Sequence, residues 1–219
     1  MERWSAQGNV YLIGRERPGA IDDADGFVEV VDYGEDWAEV RIWNPDGSLA
    51  EMSGNGTRIA ARWLSARTGR EQVTIRVGPR EVRTRIMPQD LAEQELGEVE
   101  VSEPEEIAGL TVTRVSVGNP HAVVRGDPDE LPKIGSLLET HEAFPERTNV
   151  QVARADGPYE ATARVWERGV GETASSGTSA VAVAAALGLN PATIRFPGGK
   201  LLVRFEGGRA YLTGPANRV

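Results

Sequence analysis

The sequence contains an internal repeat, in which residues 40–64 match residues 163–187 at a constant offset of 123 and without a gap. The identical pairs include Arg41 and Arg164, Trp43 and Trp166, Ser53 and Ser176, Gly54 and Gly177, Ala61 and Ala184, and Leu64 and Leu187. A repeated segment usually corresponds to one repeated structural unit. The repeat therefore predicts a fold built from two similar halves.

Both copies have the pattern of a strand, a Gly-rich loop and a helix. Residues 38–43 and 161–166 alternate polar and apolar side chains, which predicts strands. Apolar residues at helical spacing follow at 59–64 and 180–187, and each pattern ends at a glycine. Because these helices carry few polar residues, we predict that both are buried.

The remaining elements complete the prediction. A third helix is predicted at 131–138, and the acidic stretch 89–100 is interpreted as a solvated loop or hairpin. Further strands are predicted at 73–77, 82–86, 99–101, 110–117, 122–124, 194–196, 201–205 and 209–212. We predict an α+β fold of two pseudo-symmetric halves, each a mostly antiparallel sheet wrapped around a central helix. The halves are expected at 1–105 and 106–219, with the first strand or the tail crossing over.

Composition excludes several classes of function. The 219 residues contain no cysteine, which excludes disulfides, zinc–thiolate sites and thiol catalysis. A net charge of −9 without a Lys/Arg cluster argues against nucleic acid as a partner. No apolar run reaches the length of a membrane helix, and the chain starts without an apolar signal segment. We expect a cytoplasmic monomer or homodimer that needs no metal or cofactor.

The two Ser-Gly loops each place a hydroxyl group at the start of a predicted helix. Unpaired N–H groups and the helix dipole attract anions at that end. If the repeat places Ser53 and Ser176 face to face, a substrate carboxylate fits between the two helix ends. In the alternative interpretation both serines are ordinary N-caps, each contributing about 1 kcal/mol.

Several motifs resemble those of the diaminopimelate epimerase family. Residues 44–48, Asn-Pro-Asp-Gly-Ser, and residues 51–58, Glu-Met-Ser-Gly-Asn-Gly-Thr-Arg, resemble its first active-site motif, which has cysteine where Ser53 stands. Residues 167–178 resemble the second motif, with cysteine where Ser176 stands. Similar matches occur at Gly8-Asn9, at Gly118-Asn119-Pro120-His121, at Thr148-Asn149-Val150 and at 212–216. The resemblance spans nearly the whole chain.

The resemblance implies a pyridoxal phosphate-independent isomerase. Such an enzyme interconverts LL- and meso-diaminopimelate, for lysine and cell-wall synthesis, by two-base transfer of the α-proton. The implied catalytic residues are Ser53, Ser176, Glu167 and His121. The implied substrate-binding residues are Asn9, Asn44, Gly54, Asn55, Asn119, Asn149, Arg168, Gly177 and Thr178. Of these, the residues at the helix ends would hold the α-carboxylate. The distal end of the substrate would be held by Asn44, Asn119, Asn149 and Arg168, and the guanidinium of Arg168 suits a distal carboxylate.

Three departures from the family pattern affect this interpretation. A serine hydroxyl is a much weaker acid than a thiol, whose pKa is about 8.5, so it needs an adjacent base. Glu167 and His121 are candidates, although one pair does not obviously serve both faces of the substrate. Val10 replaces an aspartate of the family, and segment 15–25 is shorter than its counterpart. The serines could be natural, with a mechanism of their own, or engineered replacements.

Other functions remain open at this point. The chain could be a catalytically weak or silent amino-acid-binding homologue, or an isomerase similar to proline racemase and hydroxyproline epimerase. A phenazine-pathway isomerase uses a carboxylate base, which is disfavoured because neither serine position is acidic. Without the surrounding motif, Glu167 and Arg168 would be a surface pair and His121 a strand-end histidine. A purely structural domain would not need two Gly-rich loops repeated at one offset.

Overall fold

The computed structural model of the 219-residue chain describes residues 1–21, 23–50 and 53–219. Glu51 and Met52 of the first motif and Asp22 of segment 15–25 lie outside the described residues. Numbered in chain order, the strands are β1 (Glu2–Ala6), β2 (Asn9–Gly14), β3 (Gly26–Tyr33), β4 (Trp37–Trp43), β5 (Gln72–Val77), β6 (Arg80–Ile86), β7 (Leu91–Glu98), β8 (Glu100–Val101), β9 (Glu105–Ile107), β10 (Leu110–Ser116), β11 (Pro120–Arg125), β12 (Asn149–Gly157), β13 (Glu160–Glu167), β14 (Gly171–Thr173), β15 (Ala192–Phe196), β16 (Gly199–Glu206), β17 (Arg209–Pro215) and β18 (Asn217–Arg218). The helices are α1 (Gly54–Thr68), α2 (Leu131–Glu139) and α3 (Gly177–Leu187), with one 3-10 turn at Pro128–Glu130.

The described chain divides into two compact units. The first comprises Met1–Glu95 together with Thr213–Val219, and the second comprises Leu96–Leu212. Each unit has its own apolar core around one helix, α1 in the first and α3 in the second. Among the described residues, no helix is long and apolar enough to cross a membrane.

In the first unit, strands β1 to β6 pack against helix α1. The pairings β2–β3 and β4–β5 are parallel, and the pairings β1–β2, β3–β4 and β5–β6 are antiparallel. Strand β4 alternates as its sequence predicts, because Ala38, Val40 and Ile42 are buried between more exposed neighbours. Helix α1 ends at Gly69, whose left-handed conformation (φ 73°) suits glycine at a helix C-terminus.

The second unit repeats this topology around helix α3. The pairings β11–β12 and β13–β15 are parallel, and the pairings β10–β11, β12–β13 and β15–β16 are antiparallel. Helix α3 has 11 residues against 15 in α1 and also ends at a left-handed glycine, Gly188. Helix α2 covers the other side of β12 and β13 and forms a separate apolar cluster with them.

The strand registers extend the repeat beyond the segment that the sequence revealed. Phe27 pairs with Trp43 across β3–β4, and Val150 pairs with Trp166 across β12–β13. These pairs are separated by the same offset as Ser53 and Ser176. Both pairings also have one irregularity near their far ends, between Val30 and Asp32 and between Ala155 and Gly157. The predicted α+β fold with two similar halves is confirmed.

The interpretation of 89–100 as a solvated loop or hairpin was wrong. Most of it forms strand β7, in which Ala92 and Gln94 are fully buried. The apolar signal was weak because the intervening positions are glutamates. Of these, Glu93 accepts a hydrogen bond from Arg85 on β6 at 3.1 Å. Strands β3 and β12 are longer elements that the sequence analysis did not list.

Candidate active site

The first half-site is built on the N-terminus of α1. Ser53 has an extended backbone (φ −132°, ψ 117°), and its Oγ accepts a hydrogen bond from the Gly56 N–H at 3.0 Å. Ser53 is therefore a true N-cap, as the alternative interpretation expected. The N–H groups of Gly54 and Asn55 lie in the first turn of α1, where backbone N–H groups have no partner within the helix. They are suited to an anion such as a carboxylate.

A tyrosine that the sequence analysis overlooked contacts the capping serine. The Tyr11 hydroxyl lies 3.1 Å from Ser53 Oγ, and either oxygen can be the donor. Tyr11 lies in β2, two residues after Asn9, which was a predicted substrate-binding residue. The sequence signal was present but weak, because an aromatic residue in a strand usually belongs to the core.

Arg58 is a buried cation in the second turn of α1. Its side chain is fully buried, and its Nη2 donates to Asn55 Oδ1 at 2.6 Å. Its Nε donates to the Pro215 carbonyl at 3.0 Å. Burial lowers the pKa of Arg58 to about 10. Asn55, predicted to bind substrate, thus has its side-chain oxygen engaged by Arg58, which leaves its backbone N–H for that role.

Asn44 follows β4 directly, in the turn that leads toward the serine loop. Its Nδ2 donates to Ser48 Oγ at 2.9 Å, and its backbone N–H donates to the Ser48 carbonyl at 2.9 Å. The structure thus gives Asn44 a turn-forming role at this end of β4. Its predicted contact with the distal end of a substrate stays a prediction.

The second half-site differs from the first in how its serine is used. Ser176 has an extended backbone (φ −143°, ψ 132°) at the start of α3, but its side chain caps no helix N–H. Its hydroxyl instead lies near enough to the Glu167 carboxylate to lower the pKa of that carboxyl. Thr173 Oγ1 donates to the same carboxylate at 2.5 Å. The N–H groups of Gly177 and Thr178 start α3 in the position that Gly54 and Asn55 have in α1.

Glu167 has the electrostatics of a proton acceptor. Burial raises the pKa of its carboxyl above the ordinary value of 4.5, although the hydrogen bonds from Thr173 and Ser176 act in the opposite direction. A carboxylate whose pKa is moved toward neutral pH is a better general base than an exposed one. The structure therefore brings Ser176 and Glu167 together, and their catalytic role stays a prediction.

His121 lies in a buried chain of hydrogen bonds that leads to α3. Burial and the nearby Arg168 cation lower its pKa to about 3. Because the Gln151 amide nitrogen can only donate, His121 Nδ1 accepts from it at 3.0 Å. The ring proton is therefore on Nε2, 3.1 Å from Asn119 Oδ1. Asn119 Nδ2 in turn lies 3.4 Å from Thr178 Oγ1.

The chain of contacts at His121 defines a role distinct from that of Glu167. A neutral imidazole cannot donate two protons, and its one N–H is used on Asn119. His121 thereby orients Asn119 and, through it, Thr178 at the helix terminus. Gln151, a fully buried residue not identified from the sequence, also donates to Ser179 Oγ at 2.9 Å.

Asn149 is the first residue of β12, Arg168 directly follows β13, and both lie near this network. Asn149 Nδ2 donates to the Pro120 carbonyl at 2.9 Å, and its Oδ1 accepts from the Arg168 N–H at 3.0 Å. The amide of Asn149 thus links three chain segments. Arg168 Nη1 donates to the Glu146 carbonyl at 3.3 Å.

A cavity of about 570 Å³ opens beside this network in the second unit. Asn119 and His121 line one side of it, with Arg114, Phe144 and Glu146 among the other lining residues. This volume is in the range of small-molecule sites. Within the ranges that the structure describes, no group of three or more His, Cys, Asp or Glu side chains is arranged to hold a metal ion.

Comparisons with known proteins agree with the motifs. Residues 113–219 match the family model for diaminopimelate epimerase. The chain is 39% identical to the diaminopimelate epimerase of Desulforudis audaxviator over 232 aligned positions, which cover 90% of this chain and 82% of that protein. It is 37% identical to the diaminopimelate epimerase of Pelotomaculum thermopropionicum, with 90% and 81% covered.

Solved structures give the same fold at low sequence identity. A hydroxyproline epimerase from Agrobacterium vitis, with bound trans-4-hydroxy-L-proline, has a TM-score of 0.75 at 14% identity and covers 100% of this chain and 88% of that chain. A predicted epimerase from Pseudomonas aeruginosa has a TM-score of 0.74 at 16% identity, with 100% and 97% covered. With curated relatives at 37–39% identity over more than four-fifths of their length, the chain belongs to the diaminopimelate epimerase family.

Proposed function

We propose that this chain is an isomerase that epimerises diaminopimelate without a cofactor, with Ser53 and Ser176 at the two positions where the family resemblance places cysteine. The relatives named diaminopimelate epimerase support the reaction and the substrate. The observation that carries the proposal is the position of Ser176 at the start of α3, near enough to the Glu167 carboxylate to act on its pKa. This carboxylate supplies the adjacent base that a serine hydroxyl needs.

The chemical step at Ser176 transfers two protons. Ser176 Oγ takes the α-proton of the substrate while its own proton passes to the Glu167 carboxylate. The electron pair of the C–H bond stays on the α-carbon and is delocalised into the α-carboxylate. The N–H groups of Gly177 and Thr178 stabilise the charge that builds on this carboxylate. Epimerisation then requires a second group that returns a proton to the opposite face, and Ser53 is the candidate.

The distal end of the substrate is assigned to Arg168. Diaminopimelate carries a second carboxylate, and the planar guanidinium of arginine binds both oxygens of such a group. We propose that Arg168 exchanges its contact with the Glu146 carbonyl for this carboxylate when substrate binds. The hydrogen bond from the Arg168 N–H to Asn149 Oδ1 would hold the Arg168 backbone in place meanwhile.

The direct test is α-proton exchange of LL- and meso-diaminopimelate in deuterated buffer, detected by mass spectrometry. The wild-type chain is expected to incorporate deuterium and to interconvert the two isomers. Ser176→Ala should lower the epimerisation rate by a factor on the order of 100 or more, as loss of a proton-transfer group does. The matched control is Ser136→Ala on the exposed face of α2, which should leave the rate unchanged.

Two other outcomes would replace the proposal. Exchange of trans-4-hydroxy-L-proline or proline without exchange of diaminopimelate would assign the chain to a different epimerase specificity. Calorimetric binding of diaminopimelate without any exchange would indicate an amino-acid-binding homologue.

A gain-of-function variant tests the serine assignment separately. The double change Ser53→Cys with Ser176→Cys should accelerate epimerisation, because a thiol at a helix N-terminus forms an anion much more readily than a hydroxyl. A slower double variant, with a folded structure shown by circular dichroism, would mean that this site has adapted its chemistry to hydroxyl groups.

A further inference from the structure

The two units share a second sequence correspondence, at an offset of 110 residues. Residues 8–11 read Gly-Asn-Val-Tyr and residues 118–121 read Gly-Asn-Pro-His. Gly8 and Gly118 both have positive φ, 83° and 76°, a conformation that favours glycine. Each tetrapeptide therefore turns the chain in the same way before a strand, β2 in the first unit and β11 in the second.

The strand registers show that Tyr11 and His121 occupy equivalent positions. Tyr11 pairs with Gly26 across the parallel β2–β3 pair, and His121 pairs with Asn149 across the parallel β11–β12 pair. Gly26 and Asn149 are themselves related by the main offset of the repeat. Each unit thus has a titratable ring at the same place in its sheet.

The serines of the two units differ in the partner that the repeat supplies. The carboxylate beside Ser176 is that of Glu167, and the residue equivalent to Glu167 in the first unit is Asn44. An amide is not a base near neutral pH, and the Asn44 amide is bonded to Ser48. Position 44 therefore gives Ser53 no titratable partner equivalent to Glu167.

In the first unit, a different titratable group, the Tyr11 hydroxyl, lies beside the serine. It lies 3.1 Å from Ser53 Oγ, which also accepts the Gly56 N–H. The position of the ring depends on Gly26, because a Cβ built there would lie 2.6 Å from Tyr11 Cε1. Since Gly26 is the direct neighbour of Tyr11 in the sheet, the backbone leaves room for this ring beside the serine.

Arg58 gives the neighbourhood a positive charge. Its side-chain donors reach neutral acceptors, the Asn55 side chain and the Pro215 carbonyl. An ionised Tyr11 raises the pKa of Arg58 against the effect of burial.

We propose that Tyr11 is the proton-transfer partner of Ser53, and that the first unit uses a tyrosine–serine pair where the second uses a glutamate–serine pair. This inference rests on the proposed function. In the deprotonating direction, Ser53 Oγ takes the α-proton while its own proton passes to the Tyr11 phenolate oxygen. In the opposite direction, the Tyr11 hydroxyl gives a proton to Ser53 Oγ, which passes its own to the α-carbon. No other reactant is consumed, and Tyr11 acts through Ser53 as a positioning residue.

The first test compares Tyr11→Phe with Tyr159→Phe. Tyr11→Phe removes only the hydroxyl group and should reduce kcat for epimerisation by about 100-fold or more, with little change in KM. Tyr159 is 58% exposed, so Tyr159→Phe is the matched control and should retain the wild-type rate. If the wild-type protein epimerises diaminopimelate and Tyr11→Phe keeps full activity, the role of Tyr11 is contradicted and the proposed function is not.

The second test keeps the ring and changes only its acidity. Replacing Tyr11 by 3,5-difluorotyrosine lowers the pKa of a phenol, so the rise of kcat with pH should move to lower pH. A purely structural tyrosine would leave the pH profile where it is. An unchanged profile in a folded, active protein would therefore overturn the proposal.

A third measurement does not depend on activity. The 19F resonance of difluorotyrosine at position 11 should titrate with pH, and Ser53→Ala should raise its midpoint because the phenolate loses a hydrogen-bond donor. A midpoint insensitive to Ser53→Ala would contradict the contact itself. A wild-type chain that exchanges no α-proton would contradict the proposed function and the role of Tyr11 in it, whereas the titration would still decide whether the two hydroxyls are coupled.

Discussion

At the scale of single residues, Glu167 illustrates the conflict between stability and chemistry. Burial raises the pKa of its carboxyl, which means that the folded state favours the neutral acid. The stability that the neutral Glu167 carboxyl contributes is fully present below the ordinary glutamate pKa. It is lost as the pH rises through the raised pKa of Glu167 in the folded state. Above that value the protein holds a buried carboxylate at a cost, offset in part by its two hydroxyl donors.

The variant Glu167→Gln tests both consequences. Above the raised pKa, Gln should increase the free energy of unfolding relative to Glu, and below the ordinary pKa the two proteins should be similar. Epimerisation should fall by about 100-fold or more, because an amide accepts no proton. Urea unfolding at acidic and neutral pH measures the first effect. A Gln variant that is less stable than wild type at neutral pH would contradict the assigned cause of the pKa shift.

His121 should stay neutral well below neutral pH. With a folded pKa of about 3 against the ordinary 6.5, its neutral form contributes stability above pH 6.5 that is lost as the pH falls toward 3. Imidazole NMR of 15N-labelled protein at pH 5 should show a neutral ring with the proton on Nε2. Gln151→Leu should disturb this tautomer, since it removes the donor to Nδ1. An imidazolium signal from His121 at pH 5 would show that the buried network is wrongly described.

At the scale of elements, the close approach of α2 to β13 depends on one glycine. A Cβ on Gly135 would lie 2.7 Å from Cδ2 of the Trp166 ring, and that ring is held in place because its Nε1 donates to Glu139 at 2.7 Å. Gly135→Ala should therefore destabilise the protein by about 1–3 kcal/mol through overpacking. This exceeds the gain of up to about 1 kcal/mol that alanine normally brings to a helix.

The control for this prediction lies one residue further along the same helix. Ser136 is exposed, so Ser136→Ala should change the free energy of unfolding by no more than about 0.5 kcal/mol. Denaturant unfolding of the three proteins gives the comparison. A Gly135→Ala protein as stable as the Ser136→Ala protein would show that α2 can move away from Trp166 at little cost.

The elements also show what local sequence patterns reveal. The helices α1 and α3 were predicted from apolar spacing and their glycine ends, and both end at those glycines. Strand β7 was missed because the glutamates on its outer face hide the short inner row of buried residues. Periodicity reports burial, and it fails where long charged side chains pair with arginines on a neighbouring strand.

Only part of the candidate site could be predicted from the sequence, for a related reason. The pairing of Ser176 with Glu167 lies within one motif, so the sequence placed the two residues near each other. The contact between Tyr11 and Ser53 joins residues 42 positions apart and depends on strand register, which no local pattern gives. The same holds for Gln151 and His121, which meet across the parallel pair β11–β12.

At the scale of the whole molecule, the two units share their backbone arrangement and differ in the side chains around their serines. The two units share strand order, pairing directions, an irregularity between equivalent strands and a serine at the start of the central helix. Their serines differ in use, because one caps its helix and the other lies near a carboxylate whose pKa it lowers. In the proposed reaction, the duplicated fold provides two similar positions for proton transfer, and the side chains around each position can change independently.

If each serine acts on one face of the α-carbon, the two single-serine variants should label different isomers of diaminopimelate. In a two-base reaction each group removes the α-proton of only one stereoisomer, and epimerisation needs both groups. When one group is removed, the other can still take a proton and return one from solvent to the same face. Ser53→Ala and Ser176→Ala should each lose epimerisation by about 100-fold or more. Each should nevertheless exchange deuterium into one isomer with retention, and the isomer should differ between the variants.

Chiral chromatography with mass detection of LL- and meso-diaminopimelate after incubation in deuterated buffer distinguishes the outcomes. Labelling of opposite isomers by the two variants would assign one serine to each face of the α-carbon. Labelling by Ser53→Ala with none by Ser176→Ala would mean that a single unit performs the chemistry. The second serine would then be a helix cap with no part in proton transfer, a role for which Ser53, with its hydrogen bond to Gly56, is the better suited.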